Sequence, residues 1–317
     1  MSGKPPGPEV QVADAAGIAA AAMLLREGKP VALPTETVYG LAARADSDSA
    51  VTAIYTAKGR PSFNPLIVHV AGTEQAETIA RLDDRARALA NKFWPGALTM
   101  VLPLRSNVRI AAAVTAGLPT IALRCPAHPV MRAVLAATGL PLAAPSANRS
   151  GGVSPTTAAH VAQSLAGRIE LVVDGGPCET GLESTIVALR GDGTWQALRP
   201  GPITAEQIAG ILRTAPDVMN AATIEAPGQL MSHYSPGKPV RLEAEAGAHD
   251  EFMIGFGAVD GAINLSPAGD LAEAAARLYA TLHAAAAAPQ SKVAVAAIPA
   301  EGLGAAINDR LSRAASG

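Results

Sequence analysis

The stretch from residue 33 to residue 70 constrains the fold of this 317-residue chain more than any other. It opens with an apolar run that stops at Pro34 and closes with an apolar run that ends in His69. Between these runs, the spacing i, i+3, i+4 and i+7 is occupied by Val51, Ile54, Tyr55 and Lys58. This spacing predicts a helix with its N-cap within 46–48. The stretch therefore predicts strand, helix and strand in succession, with Lys58 on the helix face that packs against the protein.

The end of this helix has two readings. Residues 58–61 are Lys-Gly-Arg-Pro, and a cation at a helix C-terminus complements the helix dipole while glycine and proline stop the helix. The same segment also suits phosphate binding, because two cations flank a glycine and are followed by Asn64 and a strand ending in His69. The residue types alone leave both readings open.

Composition excludes several classes of protein. A formal net charge of −2 and an aromatic content of 3% count against gripping duplex nucleic acid as the main function. No apolar run approaches the roughly 18 residues of a membrane span, and the N-terminus lacks the apolar core of a signal peptide. We therefore expect a cytoplasmic protein without membrane contact. Cys125 and Cys178 lack metal-ligand spacing, which argues against a zinc site or a disulfide framework.

A second strand pattern places polar side chains on one face of a sheet. Within residues 120–124, alternation puts Thr120 and Arg124 on the same face. This arrangement suits a polar cleft lined by the sheet. It also suits an edge strand with Arg124 in solvent, and the residues alone do not decide between the two.

The turn after the strand 142–144 is rich in groups that contact ligands. Residues 145–152 read Pro-Ser-Ala-Asn-Arg-Ser-Gly-Gly and offer hydroxyls, an amide and open backbone N–H groups. We expect Ser154 to cap the next helix, with Pro155 at its first position. A helix N-terminus beside this turn would then bind an anion.

Periodicity divides the chain into three parts. A capping box at 204–207 begins the last helix of the first part, and residues 214–240 show little periodicity and many prolines. Tyr234 is the residue of this linker best suited to reach a site. Beyond it, alternating strand and helix patterns predict a small α/β unit. We predict a catalytic domain over 11–213, a linker or lid over 214–240 and a C-terminal domain over 241–317.

No familiar nucleotide or hydrolase motif is present in the sequence. It has no Gly-x-x-x-x-Gly-Lys-[Ser/Thr] loop, no Gly-x-Ser-x-Gly elbow and no metal-spaced set of His or Cys. Charged and hydroxyl side chains recur instead at predicted strand ends and turns. This pattern suits a cleft that holds two polar substrates against each other.

The motifs taken together resemble the YrdC family, in its two-domain form. The resemblance covers nearly the whole chain after about the first ten residues. The matching segments are 34–41 (PTETVYGL), 58–61 (KGRP), 64–66 (NPL), 93–99 (FWPGALT), 145–151 (PSANRSG), 183–185 (EST), 199–201 (RPG) and 232–236 (SHYSP). It implies an α/β fold with a twisted mixed sheet and flanking helices, followed by a smaller Rossmann-like α/β domain.

The resemblance also implies a reaction. Family members of this form are nucleotidyltransferases that join L-threonine, bicarbonate or carbon dioxide, and ATP into threonylcarbamoyl-AMP, with release of pyrophosphate. The product feeds the t6A modification at position 37 of tRNAs that read ANN codons. The implied cofactor is Mg²⁺ bound with ATP rather than by protein ligands. The implied partners are the downstream tRNA threonylcarbamoyl-transfer machinery and, through a weak contact, tRNA itself.

The family's functional residues carry over one by one. The implied threonine-binding residues are Thr37, His69, Arg124, the Ala144 backbone and Ser184. The implied ATP-binding residues are Lys58, Arg60, Asn64, Thr120, Ser146, Asn148, Ser154, Arg199 and Tyr234. Lys58 and Arg60 are the implied catalytic residues, because their charge would stabilise the leaving pyrophosphate.

Two alternatives remain at this point. An RNA-binding module of the same fold is one, against which the net charge and the few aromatics count. The other is a carbamoyl-adenylate enzyme with a different acceptor, as in hydrogenase maturation. Those relatives carry additional acyl-phosphatase and zinc-finger domains, which this sequence lacks.

Overall fold

The structure is a computed structural model that describes residues 6–61, 63–217, 225–227 and 233–317. Ser232 of the linker motif lies outside the described residues. The strands are β1 (Glu9–Val12), β2 (Val31–Leu33), β3 (Gly40–Arg44), β4 (Ile67–His69), β5 (Leu98–Pro103), β6 (Thr120–Arg124), β7 (Leu142–Ala143), β8 (Leu171–Asp174), β9 (Thr185–Leu189), β10 (Trp195–Arg199), β11 (Val240–Arg241), β12 (Glu251–Gly255), β13 (Ile263–Asn264) and β14 (Lys292–Val295). The helices are α1 (Ala15–Arg26), α2 (Asp48–Lys58), α3 (Thr73–Ile79), α4 (Asp84–Phe93), α5 (Ala112–Thr115), α6 (Pro129–Thr138), α7 (Ala158–Ser164), α8 (Ala205–Leu212), α9 (Leu271–Ala287) and α10 (Leu303–Ala315).

A large mixed sheet forms the first domain. Within the described ranges, ten strands lie in the order β1-β8-β2-β3-β7-β4-β6-β5-β9-β10. Strand β4 runs parallel to β6, and β5 runs antiparallel to it. The mixed sheet predicted from the sequence is confirmed. Since β6 lies inside the sheet and Arg124 is buried, the alternative of an edge strand in solvent is wrong.

Helix α2 forms where the apolar spacing predicts it. The Ser47 side chain accepts a hydrogen bond from the Ala50 N–H, and the stripe that ends in Lys58 is buried. Gly59 ends the helix at φ 62°, a left-handed conformation that glycine adopts at little cost. The left-handed turn leads directly into Arg60. The local sequence thus directs Lys58 and Arg60, on either side of Gly59, toward the interior of the domain.

The helix predicted to begin at Ser154 begins later. Helix α7 starts at Ala158, and its N-cap is Thr157, whose side chain accepts a hydrogen bond from the His160 N–H. The Ser154 hydroxyl instead donates to Glu183 Oε1 at 2.6 Å. The predicted N-cap is therefore wrong, and so is the anion site inferred from a helix N-terminus at that position.

The C-terminal unit is a small parallel sheet with two helices. In the described residues its strands lie in the order β11-β14-β12-β13, with every neighbouring pair parallel. The predicted small α/β unit is confirmed. Its apolar core also includes Val38, Leu182 and Tyr234 from outside the unit, so the core continues into the first domain and the linker.

A close backbone contact joins the two units. Gly181 has φ 70°, and a Cβ atom at this position would lie 2.5 Å from the Ala276 Cα of α9. Only glycine lets α9 approach this loop so closely. The domain limits at 213 and 240 stay a prediction.

None of the helices in the described segments combines the length and the hydropathy that spanning a membrane requires.

Candidate active site

A polar cavity opens between the large sheet, the turn 34–40 and the linker. It contains about 560 Å³ of empty space, open solvent included. Most of the predicted site residues line it, namely Thr37, Arg60, His69, Arg124, Ala144, Ser146, Ser184, Arg199 and Tyr234. The others do not lie in its wall, and these are Lys58, Asn64, Thr120, Asn148 and Ser154. Nine of the fourteen predicted residues thus line one contiguous cavity, and their roles stay a prediction.

The turn after β2 is held by the hydroxyl of Thr35. This hydroxyl donates to the Val38 carbonyl at 2.6 Å and accepts from the backbone N–H groups of Thr37 and Val38 at 3.2 Å. The two threonine hydroxyls lie 2.8 Å apart. Both threonines line the cavity, so this turn fixes Thr37 without the help of a ligand.

Arg124 lies at the end of β6, opposite His69 in the β4–β6 register. Its guanidinium donates to the Gly96 carbonyl at 3.1 Å, to the Thr37 hydroxyl at 2.9 Å and to Glu36 Oε1 at 2.6 Å. A guanidinium has five N–H donors, so contacts among the described residues leave donor capacity for a bound carboxylate. The cavity wall thus holds an oriented, buried cation.

Glu36 keeps its charge beside Arg124. Burial would raise the pKa of this carboxyl, but the charge and hydrogen bond of Arg124 outweigh it and hold the pKa below its usual value. The other oxygen accepts from the Ala127 N–H at 3.0 Å. The carboxylate therefore fixes the orientation of Arg124.

His69 is a neutral side chain. Burial, followed by the nearby Arg124 charge, lowers its pKa to about 3. Within the described part of the chain, its Nδ1 atom is buried without a hydrogen-bond partner. A neutral imidazole with a free ring nitrogen in the cavity wall can accept from, or donate to, a small polar ligand.

Lys58 reaches the turn 145–152 from the end of α2. Its Nζ atom donates to the carbonyls of Ser146 and Asn148, both at 2.6 Å. Burial and the neighbouring Arg60 charge hold its pKa well below the usual value. The lysine thus positions the turn from behind, and none of the described residues places an anion beside it that would stabilise its charge.

Two further arginines face the cavity. Arg60 donates to the Pro65 carbonyl at 3.1 Å, and among the described residues its Nε has no acceptor. Burial lowers its pKa to about 10, so it is charged at neutral pH. Arg199 donates twice to the Ser184 carbonyl, at 3.0 and 3.1 Å. These buried cations form the second polar group of the cavity.

The amide residues predicted to bind ATP support the wall from outside it. Asn148 donates to the carbonyls of Arg149 and Gly152 at 2.8 and 2.9 Å. The Asn64 carbonyl accepts from the Tyr55 hydroxyl at 3.0 Å. Both side-chain Oδ1 atoms are buried without a partner among the described residues. Thr120 lies at the opposite end of β6 from Arg124.

Described parts of the linker cover the cavity. Pro227, His233 and Tyr234 line it, and Tyr234 is only 1% exposed. Tyr234 has φ 63° and stacks on Tyr279 of α9, with 5.5 Å between ring centroids. Ser235 then bridges to Gly152. The linker therefore forms one wall of the site.

Four residues in or around the site were not assigned roles from the sequence, of which Glu36 is partly exposed and the other three are buried. Thr35 and Glu36 lie in the motif that pointed to Thr37, so the motif itself was the available signal. Glu183 also stands in a recognised motif. Arg310 stands in a C-terminal segment that also resembles the family, but it had no predicted role because it reaches the cavity region from a different domain.

The geometry suits two anionic or zwitterionic groups held side by side. Arg124, Thr37 and neutral His69 can take a small carboxylate, since guanidinium binds carboxylate bidentately. Arg60 and Arg199 can take a more highly charged group, such as a polyphosphate. The cavity thus favours orientation and charge stabilisation over covalent catalysis by a side chain.

Two family models match successive parts of the chain. Residues 23–201 match the Sua5–YciO–YrdC model, whose description is telomere recombination. Residues 203–316 match a model described as threonylcarbamoyl-AMP synthase, C-terminal domain.

Individual relatives agree with these models. The chain is 47% identical over 232 residues to threonylcarbamoyl-AMP synthase of Bacillus subtilis, an alignment of 71% of this chain and 66% of that protein. Sua5 of Pyrococcus abyssi complexed with L-threonine matches with a TM-score of 0.85 at 35% identity, over 94% of each chain. A second Sua5 structure from the same organism, with a histidine and the adjacent tyrosine changed to alanine, matches with a TM-score of 0.88 at 34% identity, over 98% of this chain and 96% of that chain. The chain therefore belongs to the Sua5/YrdC family, in the form whose second domain is that of the threonylcarbamoyl-AMP synthases.

Proposed function

We propose that this protein is an L-threonylcarbamoyladenylate synthase. The amino group of threonine captures carbon dioxide, supplied as such or from bicarbonate, and forms a carbamate. A carbamate oxygen attacks the α-phosphorus of ATP while the bond to the bridging oxygen of pyrophosphate breaks. The observation that carries the proposal is one cavity lined both by Arg124 with Thr37 and by Arg60 with Arg199.

Threonine occupies the part of the cavity around Arg124. The guanidinium binds its carboxylate, while Thr37, Ser184 and the Ala144 backbone orient the rest of the molecule. Neutral His69 accepts a hydrogen bond without placing a second cation beside the reacting amine. The P. abyssi Sua5 complexed with L-threonine supports this substrate.

ATP occupies the part between the arginines and the linker. Lys58, Arg60 and Arg199 stabilise the charge that grows on the α-phosphate and pyrophosphate. Ser146 lines this part of the cavity and contacts the nucleotide, whereas Asn64, Thr120, Asn148 and Ser154 lie outside the cavity wall and their contacts with ATP stay predictions. Tyr234 closes the site from the linker and excludes water from a product that hydrolyses readily.

Mg²⁺ enters with the triphosphate. The Glu183 carboxylate in the cavity wall already accepts from Ser154, Tyr279 and Arg310. The donor set therefore fits an ion held by phosphate oxygens and water rather than by a cage of side chains. When bound, the ion neutralises phosphate charge.

The product passes to the tRNA threonylcarbamoyl-transfer machinery, which places the group on adenosine 37 of tRNAs reading ANN codons. This role places the protein in the cytoplasm with its tRNA substrates. A weak direct contact with tRNA is compatible with the role but is not required for the chemistry.

Omission of each substrate in turn tests the proposal. Pyrophosphate release from ATP is measured with threonine, bicarbonate and Mg²⁺, and again without one of them. We expect release only when threonine and bicarbonate are both present. Equal release without threonine would show an ATP pyrophosphohydrolase instead.

A further inference from the structure

The wall of the cavity contains a carboxylate, which has the same sign of charge as the proposed nucleotide. Glu183 lies at the loop before β9, lines the cavity and is 6% exposed. Burial would raise its pKa, but Arg310, Arg199, Ser154 and Tyr279 outweigh it and lower the pKa to about 2. A permanent negative charge therefore faces a site that has to accept a polyphosphate.

The partner of this carboxylate comes from the C-terminal domain. Arg310 of α10 is completely buried, and its Nε donates to Glu183 Oε2 at 3.0 Å. The Tyr279 hydroxyl of α9 donates to the same oxygen at 2.7 Å. Arg310 and Glu183 are 127 residues apart in the sequence. Burying a charged arginine is costly unless the charge is paired, so the pair marks a specific requirement at this position.

Arg310 also holds two other parts of the site. Its Nη1 donates to the Pro200 carbonyl at 2.8 Å, directly after Arg199. Its guanidinium carbon lies 5.7 Å from the centre of the Tyr234 ring, within range for a cation–π contact. One side chain thus contacts the strand end, the linker and the carboxylate.

The same helix fixes the linker through its backbone. The Arg313 carbonyl of α10 accepts from the His233 N–H at 3.3 Å. Asp309 accepts from Arg310 at 2.9 Å and from Arg313 at 3.0 Å, so the two arginines offset the charges of Glu183 and Asp309. Helix α10 therefore presents a charge-balanced cluster to the cavity, in which Arg310 Nη2 is buried without a hydrogen-bond partner among the described residues.

We propose that Arg310 is a positioning residue of the nucleotide site, which neutralises Glu183 and holds Tyr234 in the cavity wall. The C-terminal domain on this account completes the electrostatics of the first domain. The inference rests on the proposed function only in requiring that a nucleotide polyphosphate binds in this cavity. Arg310 acts through Glu183 and Tyr234 and does not itself contact substrate.

The test compares nucleotide binding by full-length variants. The probe is a non-hydrolysable ATP analogue with Mg²⁺, titrated in the absence of threonine, and threonine is titrated separately. We expect Arg310→Met to weaken analogue binding about tenfold or more and to change threonine binding less than about threefold. Arg277→Met is the matched control, since it removes an exposed arginine–glutamate pair on α9 and should leave both affinities unchanged.

A double substitution separates charge from folding. Glu183→Gln with Arg310→Met removes both charges of the pair, so neither member is left buried alone. This variant should fold and should recover most of the lost analogue affinity. If Arg310→Met is too unstable to titrate, the double variant still decides: analogue affinity near that of the wild type is expected from it, and a loss of about tenfold or more would overturn the proposal. Loss of analogue affinity in the double variant as large as in Arg310→Met, or no loss in Arg310→Met, would overturn the proposal.

These outcomes do not depend on catalysis. If the wild type binds the analogue but releases no pyrophosphate with threonine and bicarbonate, the proposed function fails while the role of Arg310 still stands. If Arg310→Met binds the analogue normally and the wild type is active, the role of Arg310 fails alone.

Discussion

Arg124 and Glu36 show how a single buried pair prepares a site for a zwitterion. The Glu36 carboxylate lies 2.6 Å from the Arg124 guanidinium and holds it in one orientation. The guanidinium keeps N–H donors that Glu36 does not occupy. On the proposed assignment, a threonine carboxylate would meet a cation that has already lost its side-chain freedom, so less entropy would be lost on binding.

Replacing Arg124 should therefore affect one substrate far more than the other. Losing a charge-assisted pair costs about 1.5–3 kcal/mol. We expect Arg124→Ala to weaken threonine binding roughly 10- to 100-fold and to leave ATP binding within about threefold. Calorimetric titration of each substrate checks this, with Arg87→Ala as a surface control that removes an ion pair with Glu77. Equal losses for both substrates would contradict the assignment.

Lys58 offers a test based on protons. Its pKa is lowered by burial and by Arg60 in the free protein, and a bound triphosphate would raise it again. When the pKa of a group rises on binding, its favourable contribution to the binding free energy is complete at pH values below the free-state pKa. This contribution is lost as the pH rises through the bound-state pKa. We expect ATP binding to take up protons between these two pKa values.

Calorimetry in buffers of different ionisation enthalpy measures that uptake. Lys58→Arg is the matched variant, since arginine stays protonated and should bind ATP with little proton uptake. Zero uptake by the wild type across the window between the lowered pKa and the usual lysine pKa of 10.5 would show that Lys58 stays charged without ligand.

The sequence predicted which residues meet at the cavity but not how they pair. Strand alternation left Arg124 either in a cleft or in solvent, and the resemblance to the YrdC family implied Arg124, Thr37 and His69 as site residues. Glu36 was passed over as a partner of Arg124 since the two are 88 residues apart, and pairing over that distance depends on sheet register, which residue types do not encode.

At the scale of elements, the linker is anchored on the large sheet as well as over the cavity. Arg190, at the end of β9, binds Glu225 through two hydrogen bonds of 2.6 and 2.9 Å. Ala226 is fully buried against the sheet, and the Pro227 carbonyl accepts from Arg199 at 3.4 Å. The described linker residues thus join the sheet and the site.

Loosening this anchor should expose the linker to proteases. The pair is partly exposed, so its loss costs up to about 1 kcal/mol and should raise cleavage within 214–240 by about two- to fivefold in Arg190→Met. ATP with threonine should slow cleavage in the wild type. Arg44→Met, which breaks a similar pair with Asp46, is the control. If Arg190→Met is cleaved at the wild-type rate and ligands give no protection, the linker only connects the two domains and has no part in the site.

Helix ends were predictable where the cap is local. Ser47, Thr204 and Asp270 cap α2, α8 and α9 as their sequences suggest. The N-cap predicted at Ser154 was wrong because a carboxylate distant in sequence, that of Glu183, binds the Ser154 hydroxyl. Short strands such as β1 and β13 gave no pattern, since their pairing depends on neighbouring strands rather than on their own residues.

At the scale of the whole molecule, the C-terminal domain contributes to the site rather than standing apart from it. Tyr279 and Arg310 bind Glu183, and His283 stacks on His160 of α7 with 3.9 Å between ring centroids. The sequence predicted the presence and class of this domain from alternating strand and helix patterns. It could not predict which face of the domain packs on the cavity, because that depends on contacts between distant residues.

The central claim is that threonine, carbon dioxide and ATP combine in one cavity of this chain. Mass spectrometry after incubation with carbon-13 bicarbonate, threonine and ATP tests it most directly. The account predicts a product that contains threonine, AMP and one labelled carbon in a single molecule, and that is absent when threonine is omitted. AMP formed without threonine, or a nucleotide product without the label, would contradict it.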